Sequence, residues 1–325
     1  MSEPTPALAS DLARTEGDIV VLGVGGKMGP TLARMARRAA PDRRIFGVAR
    51  FSDKGLREKL AAQGVECIAC DLLDRAAVQA LPRVPNVVFM AGHKFGASED
   101  ASFTWAMNVE VPFMIAEAFR ESRIVAFSTA CVYPYVDIAG PGASERTPAT
   151  PPAGDYAISC LGRERAFEYG SQKYGTPGRL VRLEYAIDMR YGVLYDVASK
   201  VLNGKEIDLA MGHVNVIWQG DATEQALRLL AHCTAPTTPL NVTGPEVVSV
   251  RWLAEQFGAR LGRKPTLKGR EEATAWLLDT REAQRLLGAP RVPLERMIDW
   301  VADWVARAMP SLGKDTHFST RDGNY

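Results

Sequence analysis

Cysteine is scarce. The 325 residues hold five, at positions 67, 70, 131, 160 and 233, an odd and scattered set that does not read as a disulfide framework. Cys67 and Cys70 form a CxxC inside the apolar run 65–70, with no second cysteine pair or nearby histidine, so they read as strand thiols and no metal site is expected. Charge of one sign is also missing: 39 Lys+Arg against 38 Asp+Glu leave +1, and no basic run stands out. That argues against nucleic acid or an anionic membrane as a partner. No apolar stretch approaches the ~18 residues of a membrane span. Residues 1–17 lack the apolar segment of a signal peptide, so a flexible N-terminus and a cytoplasmic location are expected.

What is present is alternation. From residue 18 short apolar runs (19–22, 45–48, 65–70, 86–90, 124–128, 180–183) alternate with helical patterns (30–39, 56–63, 74–81, 103–121, 156–174). Strands alternating with helices imply βαβ units, hence an α/β fold with a doubly wound parallel sheet, Rossmann-like. Beyond 184 the alternation loosens, with helices expected at 191–203, 222–233, 250–261 and 293–308 and a strand at 214–218. The expected division is a dinucleotide-binding domain over 18–183 with 214–234 packing back onto it, a mainly substrate-binding region over 184–310, and a polar tail over 311–325 that is either disordered or tied down by a neighbouring subunit.

The first strand runs into Gly23, Gly26 and Gly29, a GxxGxxG that also holds Lys27 and Met28, and Pro30 opens a helix. Glycines here permit a tight turn, let backbone approach a pyrophosphate and let helix pack on strand, while the helix start offers free N–H groups to the anion. A dinucleotide cofactor, NADP or NAD, follows. Arg50, at the end of the second strand, suits a 2′-phosphate and favours NADP; the other reading leaves Arg50 solvated and gives the ribose to Asp53.

With these motifs in place the chain resembles the extended short-chain dehydrogenase/reductases, the NAD-dependent epimerase/dehydratase family. The resemblance runs from about residue 18 to about 305. Asp71 and Leu72 match the pair that contacts the adenine, Ala91-Gly92 the turn against which the cofactor lies, and Asn108 the Asn of the long helix. The run 128–133 places Thr129 at the catalytic Ser/Thr position, and Glu145 with the loop 147–155 leads into Tyr156 as in the family's YxxxK helix. The segments 214–221 and 241–255 match later parts of the pattern.

The resemblance breaks at Cys160, which stands where the family has its lysine, the residue that binds the nicotinamide ribose and lowers the tyrosine's pKa. Positions i and i+4 share a helix face, so Cys160 points at Tyr156 and the cofactor without charge or donors. A unit charge at about 4 Å in an effective dielectric near 20 is worth about 4 kcal/mol, so without it Tyr156 becomes an ordinary phenol, still able to donate a proton. His93 and Lys94 are the candidate replacements, while Arg163, two turns beyond Tyr156, reads as a surface residue. Ala130-Cys131 lacks the Asp-Glu of the sugar dehydratases, and the run 184–192 departs from the family's nucleotide-sugar pattern; Arg190 there either binds an acid group or is structural. The resemblance therefore implies an oxidoreductase or epimerase acting on a hydroxyl or keto carbon of a small sugar or sugar acid, with a homodimer compatible. The rival reading is a weakened NAD(P)-binding sensor or partner protein on the same fold.

Overall fold

The computed structural model describes residues 1–321 apart from positions 95 and 153. The last four positions of the expected tail lie outside the described residues. The short apolar runs form strands β1 (Ile19–Leu22), β2 (Ile45–Ala49), β3 (Glu66–Ala69), β4 (Asn86–Phe89) and β5 (Arg123–Thr129). β1 and β4 are buried at every position, as expected of strands covered on both faces. With Gly178–Leu183 and Thr238–Val242 they make a seven-stranded sheet in the order Thr238–Val242, Gly178–Leu183, β5, β4, β1, β2, β3. β1 pairs parallel with β2 and β4, β2 with β3, and β4 with β5. The strand order reverses between β1 and β4, the switch point at which doubly wound sheets open a crevice for ligands.

Helices α1 (Pro6–Ala13), α2 (Gly29–Ala39), α3 (Leu56–Ala61), α4 (Arg75–Gln79), α5 (Ala101–Trp105), α6 (Val111–Ala118) and α7 (Asp155–Tyr174) accompany these strands. Leu22, Val48, Phe89, Ile115 and Phe167 belong to one buried cluster with the sheet. The chain divides into two compact units, the first made of Met1–Val132, Gly154–Arg182 and Thr223–Leu240, the second of the remaining segments. The second unit has its own core, in which Val193, Val197, Leu253, Phe257, Ile298 and Val301 are fully buried. Among the described residues no helix is long and apolar enough to cross a membrane.

Four local expectations are corrected. The flexible N-terminus expected for 1–17 contains α1, capped by the Thr5 hydroxyl and opened by Pro6, with Leu8 and Leu12 buried. Arg228 pairs with Asp11 and Thr5 donates to Glu224, which fastens that helix within the first unit. The single helix expected over 103–121 is interrupted by a π segment, Ala106–Glu110, where Val111 N–H reaches back five residues to Ala106 O. Pro112 supplies a cause, because it has no N–H to give the carbonyl of residue 108. The strand expected over 214–218 is two short ones, His213–Val214 and Ile217–Trp218, and 214–234 is shared between the units, which meet at 222–223. The polar tail is tied down: Phe318 is buried in the second unit's core, and Thr316 donates from backbone and hydroxyl to Asp196.

Asp196 lies in the helix Val193–Leu202, and burial pushes its carboxyl up to about 6. A folded-state pKa above the unfolded value near 3.8 favours the protonated acid, so this contribution to stability is present at low pH and lost as pH rises through about 6. The gap is worth on the order of 3 kcal/mol. Asp196→Asn, which still accepts from Thr316, should raise the melting temperature at pH ~8 and change it little near pH ~4, read from unfolding scans at both pH values.

Candidate active site

β1 leaves the sheet at Leu22 and enters the glycine loop, whose three glycines answer to different needs. Gly23 has φ +89°, and a Cβ there would stand 2.6 Å from Ala91 N at the turn after β4. At Gly29 a Cβ would press on the backbone of Val24, 2.6 Å from its carbonyl carbon. The fold itself demands those two. Gly26 differs: the nearest atom to an added Cβ is Gly23 O at 3.5 Å, an ordinary contact. Nothing in the protein excludes a side chain at 26, and its exposed backbone faces the crevice that a pyrophosphate would share.

That crevice opens into a cavity of about 260 Å³ lined by Gly23, Gly25, Gly26, the run 49–53, Leu56, Cys70, Asp71, Leu72, Met90, Ala91, Gly92 and Met107. Among the described residues the Arg50 side chain is exposed with no partner, and Asp53 lines the same wall, so both ribose contacts read from the sequence reach it. Asp71 turns its own backbone by accepting from Leu73 N at 3.1 Å. Met28 and Gly29 are buried, and Lys27 is half-buried; none of the three lines the cavity. Glycine backbone, a strand-end arginine and an aspartate–leucine pair around one slot fit the adenosine diphosphate half of a dinucleotide, with α2 starting at the loop. Among the described residues no cluster of His, Cys, Asp and Glu fits a metal ion.

Thr129 ends β5, and Tyr156 sits in the first turn of α7. A side-chain hydrogen bond joins their hydroxyls, and another joins Tyr156 to Cys160. Withdrawal from water pushes the Tyr156 phenol well above its usual range, with nearby Cys160 and Cys131 adding to the rise and Arg163 opposing it. Cys160 is fully buried, and its thiol is pushed up to about 11, chiefly by burial. Its expected place beside Tyr156 holds, but the thiol offers a ligand no exposed surface. The Lys94 ammonium lies 5.6 Å from the centre of the Tyr156 ring. His93, the other expected replacement, has Nδ1 2.9 Å from the Thr104 hydroxyl and its ring edge against Phe103, so the ring is held by α5.

Arg163 is not the surface residue expected. It is 6% exposed, donating from Nη1 to Phe127 O at 3.0 Å and from Nη2 to Asn108 Oδ1 at 2.5 Å. Its helix face, shared with Tyr156, was the available signal; a charged residue in an otherwise polar turn concealed it. Asn108, in the π segment, also accepts from His93 N and donates to His93 O and Ser159 Oγ, each at 2.9 Å. In the second unit, Arg190 is engaged by Asp188 through Nε and Nη2, and Glu145 accepts from Asn241 N.

The sequence pattern of the NAD dependent epimerase/dehydratase family matches residues 19–219. No curated protein matches the chain. Among solved structures, Pal from Bacillus thuringiensis superposes with a TM-score of 0.74 at 18% identity, over 90% of this chain and 99% of that one. The UDP-Glc/GlcNAc 4-epimerase of Campylobacter jejuni gives 0.74 at 20% identity, over 90% and 100%. UDP-glucose 4-epimerase of Thermotoga maritima, solved with UDP-glucose, gives 0.73 at 15% identity, over 90% and 99%. At such identities the likeness is one of fold.

The three glycines should separate on substitution. Gly26→Val should keep the melting temperature within about 2 °C while abolishing nicotinamide-dinucleotide binding; Gly23→Ala and Gly29→Ala should unfold several degrees lower. Calorimetric binding beside thermal unfolding reads all three, and full affinity in Gly26→Val would remove the loop from the site.

Proposed function

The chain belongs to the NAD dependent epimerase/dehydratase family, and on that premise we propose that it oxidises, reduces or epimerises a hydroxyl-bearing carbon of a small sugar or sugar acid. Enzymes of this family depend on NAD, and the bound nicotinamide supplies and accepts the hydride. Gly23, Gly26, Arg50, Asp71, Leu72 and Ala91, which line one cavity, are assigned to the cofactor, whereas Lys27, Met28, Gly29 and the buried Cys160, expected there from the sequence, do not line it. Recognition of the substrate is assigned mainly to residues 184–310. Structural likeness to UDP-sugar epimerases supports a carbohydrate substrate. The observation that carries the reading is the Thr129–Tyr156 hydroxyl pair at the end of β5.

In this reading Thr129 hydrogen-bonds the reacting oxygen and Tyr156 gives or takes its proton, with Lys94 above the ring as the accessible cation and His93 shaping that wall. A phenol held well above its usual range is fully protonated at neutral pH, so it is a ready donor to a developing alkoxide and a poor base. Reduction of a keto sugar should therefore be flat through neutral pH and fall only in strong alkali. Oxidation should climb with pH.

The test is turnover with NAD(H) and NADP(H) over a panel of UDP-sugars, free sugars and sugar acids. Tyr156→Phe should lower turnover about 10² to 10⁴-fold while leaving cofactor affinity within about twofold. Unchanged turnover would move the chemistry off Tyr156. Cofactor retained through purification supports an epimerase; free exchange with net turnover supports a dehydrogenase. We further propose NADP over NAD, because Arg50 stands free among the described residues at the cavity rim. Arg50→Ala should weaken NADPH binding at least tenfold and NADH binding little, and equal losses for both would leave NAD as the cofactor.

A further inference from the structure

Position 160 carries no charge, yet a cation is fixed one turn further along the same face of α7. Arg163 is buried, and among the described residues no carboxylate pairs with it; the adjacent Glu164 is committed to Arg182, with Nη2–Oε2 at 2.6 Å. Among the described residues only neutral oxygens of Phe127 and Asn108 receive its hydrogen bonds, and Nε has no partner. No acidic group among the described residues pairs with this guanidinium to offset its field. Its Nη2 lies directly behind Gly92, where an added Cβ would collide with it and would also meet Asn108 Oδ1 at 3.0 Å. Gly92 lines the cofactor cavity, so the charge stands just behind that wall.

The groups around Tyr156 come from three directions. β5 and the turn after it supply Thr129 and Cys131, α7 supplies Cys160 and Arg163, and the segment after β4 supplies Lys94. Asp155, at the start of α7, is bound by Trp105 Nε1 of α5 at 2.7 Å. Lys94 approaches the face of the ring and is half-buried, so water screens it. Arg163 is the one cation of this group held away from water, where an effective charge acts furthest.

We propose that Arg163 carries the fixed positive charge of this site, displaced one helical turn from position 160, and that this buried face of α7 has room for one cation, so that a charge at 160 and the guanidinium at 163 exclude one another. Arg163 is thus a positioning residue that acts on the Tyr156 proton, and this rests on the functional reading given above. A lysine at 160 would put a second ammonium beside the guanidinium in a region closed to water, where like charges repel strongly.

Four proteins test it: the natural chain, Cys160→Lys, Arg163→Gln and the double variant, together with Arg163→Lys, which keeps charge but not the two-pronged geometry. Two readouts need no substrate, namely the melting temperature and alkaline phenolate absorbance, with Tyr156 isolated by subtracting Tyr156→Phe. Cys160→Lys should cost about 5 °C or more in the natural background and little or nothing beside Arg163→Gln. The Tyr156 midpoint should rise in Arg163→Gln, and return toward the natural value in Arg163→Lys and in the double variant.

An equal cost of Cys160→Lys in both backgrounds overturns the inference, as does a Tyr156 titration that ignores Arg163→Gln. If Arg163→Gln does not fold, the double variant decides: refolding with a natural Tyr156 titration upholds the exchange of one cation for another, and failure to fold overturns it. Absence of any sugar turnover would sink the functional reading and leave these measurements standing, while their failure would leave that reading intact.

Discussion

A carboxylate that never meets water holds the first unit's site together. Glu164 is fully buried and accepts from Ser128 Oγ at 2.6 Å, Arg182 Nε at 2.9 Å and Arg182 Nη2 at 2.6 Å. Ser128 lies in β5 and Arg182 in the neighbouring strand Gly178–Leu183, so one side chain pins α7 across two strands. Such a pair is expensive to desolvate and stable only with every partner present; removing one member of a buried pair costs about 3–5 kcal/mol. Because α7 is a continuous 20-residue helix, what is fixed at Glu164 fixes Tyr156, about 12 Å back along the axis.

The adjoining wall depends on the π segment. Asn108 holds both the N–H and the C=O of His93, so the turn after β4 has little freedom, and Ala91 in that turn is where the glycine loop touches at Gly23. Irregular backbone in the helix, a left-handed glycine in the loop and a buried amide are parts of one clamp at the switch point.

The sequence disclosed the sheet because covered strands are short and apolar and the helices between them have a 3.6-residue period. It disclosed the glycine loop by its place between the first strand and the first helix, and the Thr129–Tyr156 pair through the resemblance to the family. Other features were hidden for physical reasons. α1 was signalled by Thr5-Pro6 and by Leu8 and Leu12 four apart, but its flanks are rich in proline and charge. The π segment looks like ordinary helix, since one added residue per turn leaves the apolar pattern almost intact. Arg163 was misjudged because a charge on a helix is usually solvated, and only the third dimension shows Phe127 and Asn108 waiting for it. Thr316 binds across 120 positions of sequence, a distance no local pattern can signal.

The two units are interleaved along the chain, and this governs the order in which a nascent polypeptide can become itself. The first unit's sheet is incomplete until Thr238–Val242 has been made, long after β5. The second unit's core waits for Phe318. During synthesis, the edge of β5 must therefore stay unpaired until Gly178–Leu183 has been made, and the edge of that strand stays unpaired in turn until Thr238–Val242 follows, each open meanwhile to any other strand it meets. Chaperone demand should consequently fall mainly on this stretch of elongation, and slowing the ribosome there would lengthen the vulnerable interval.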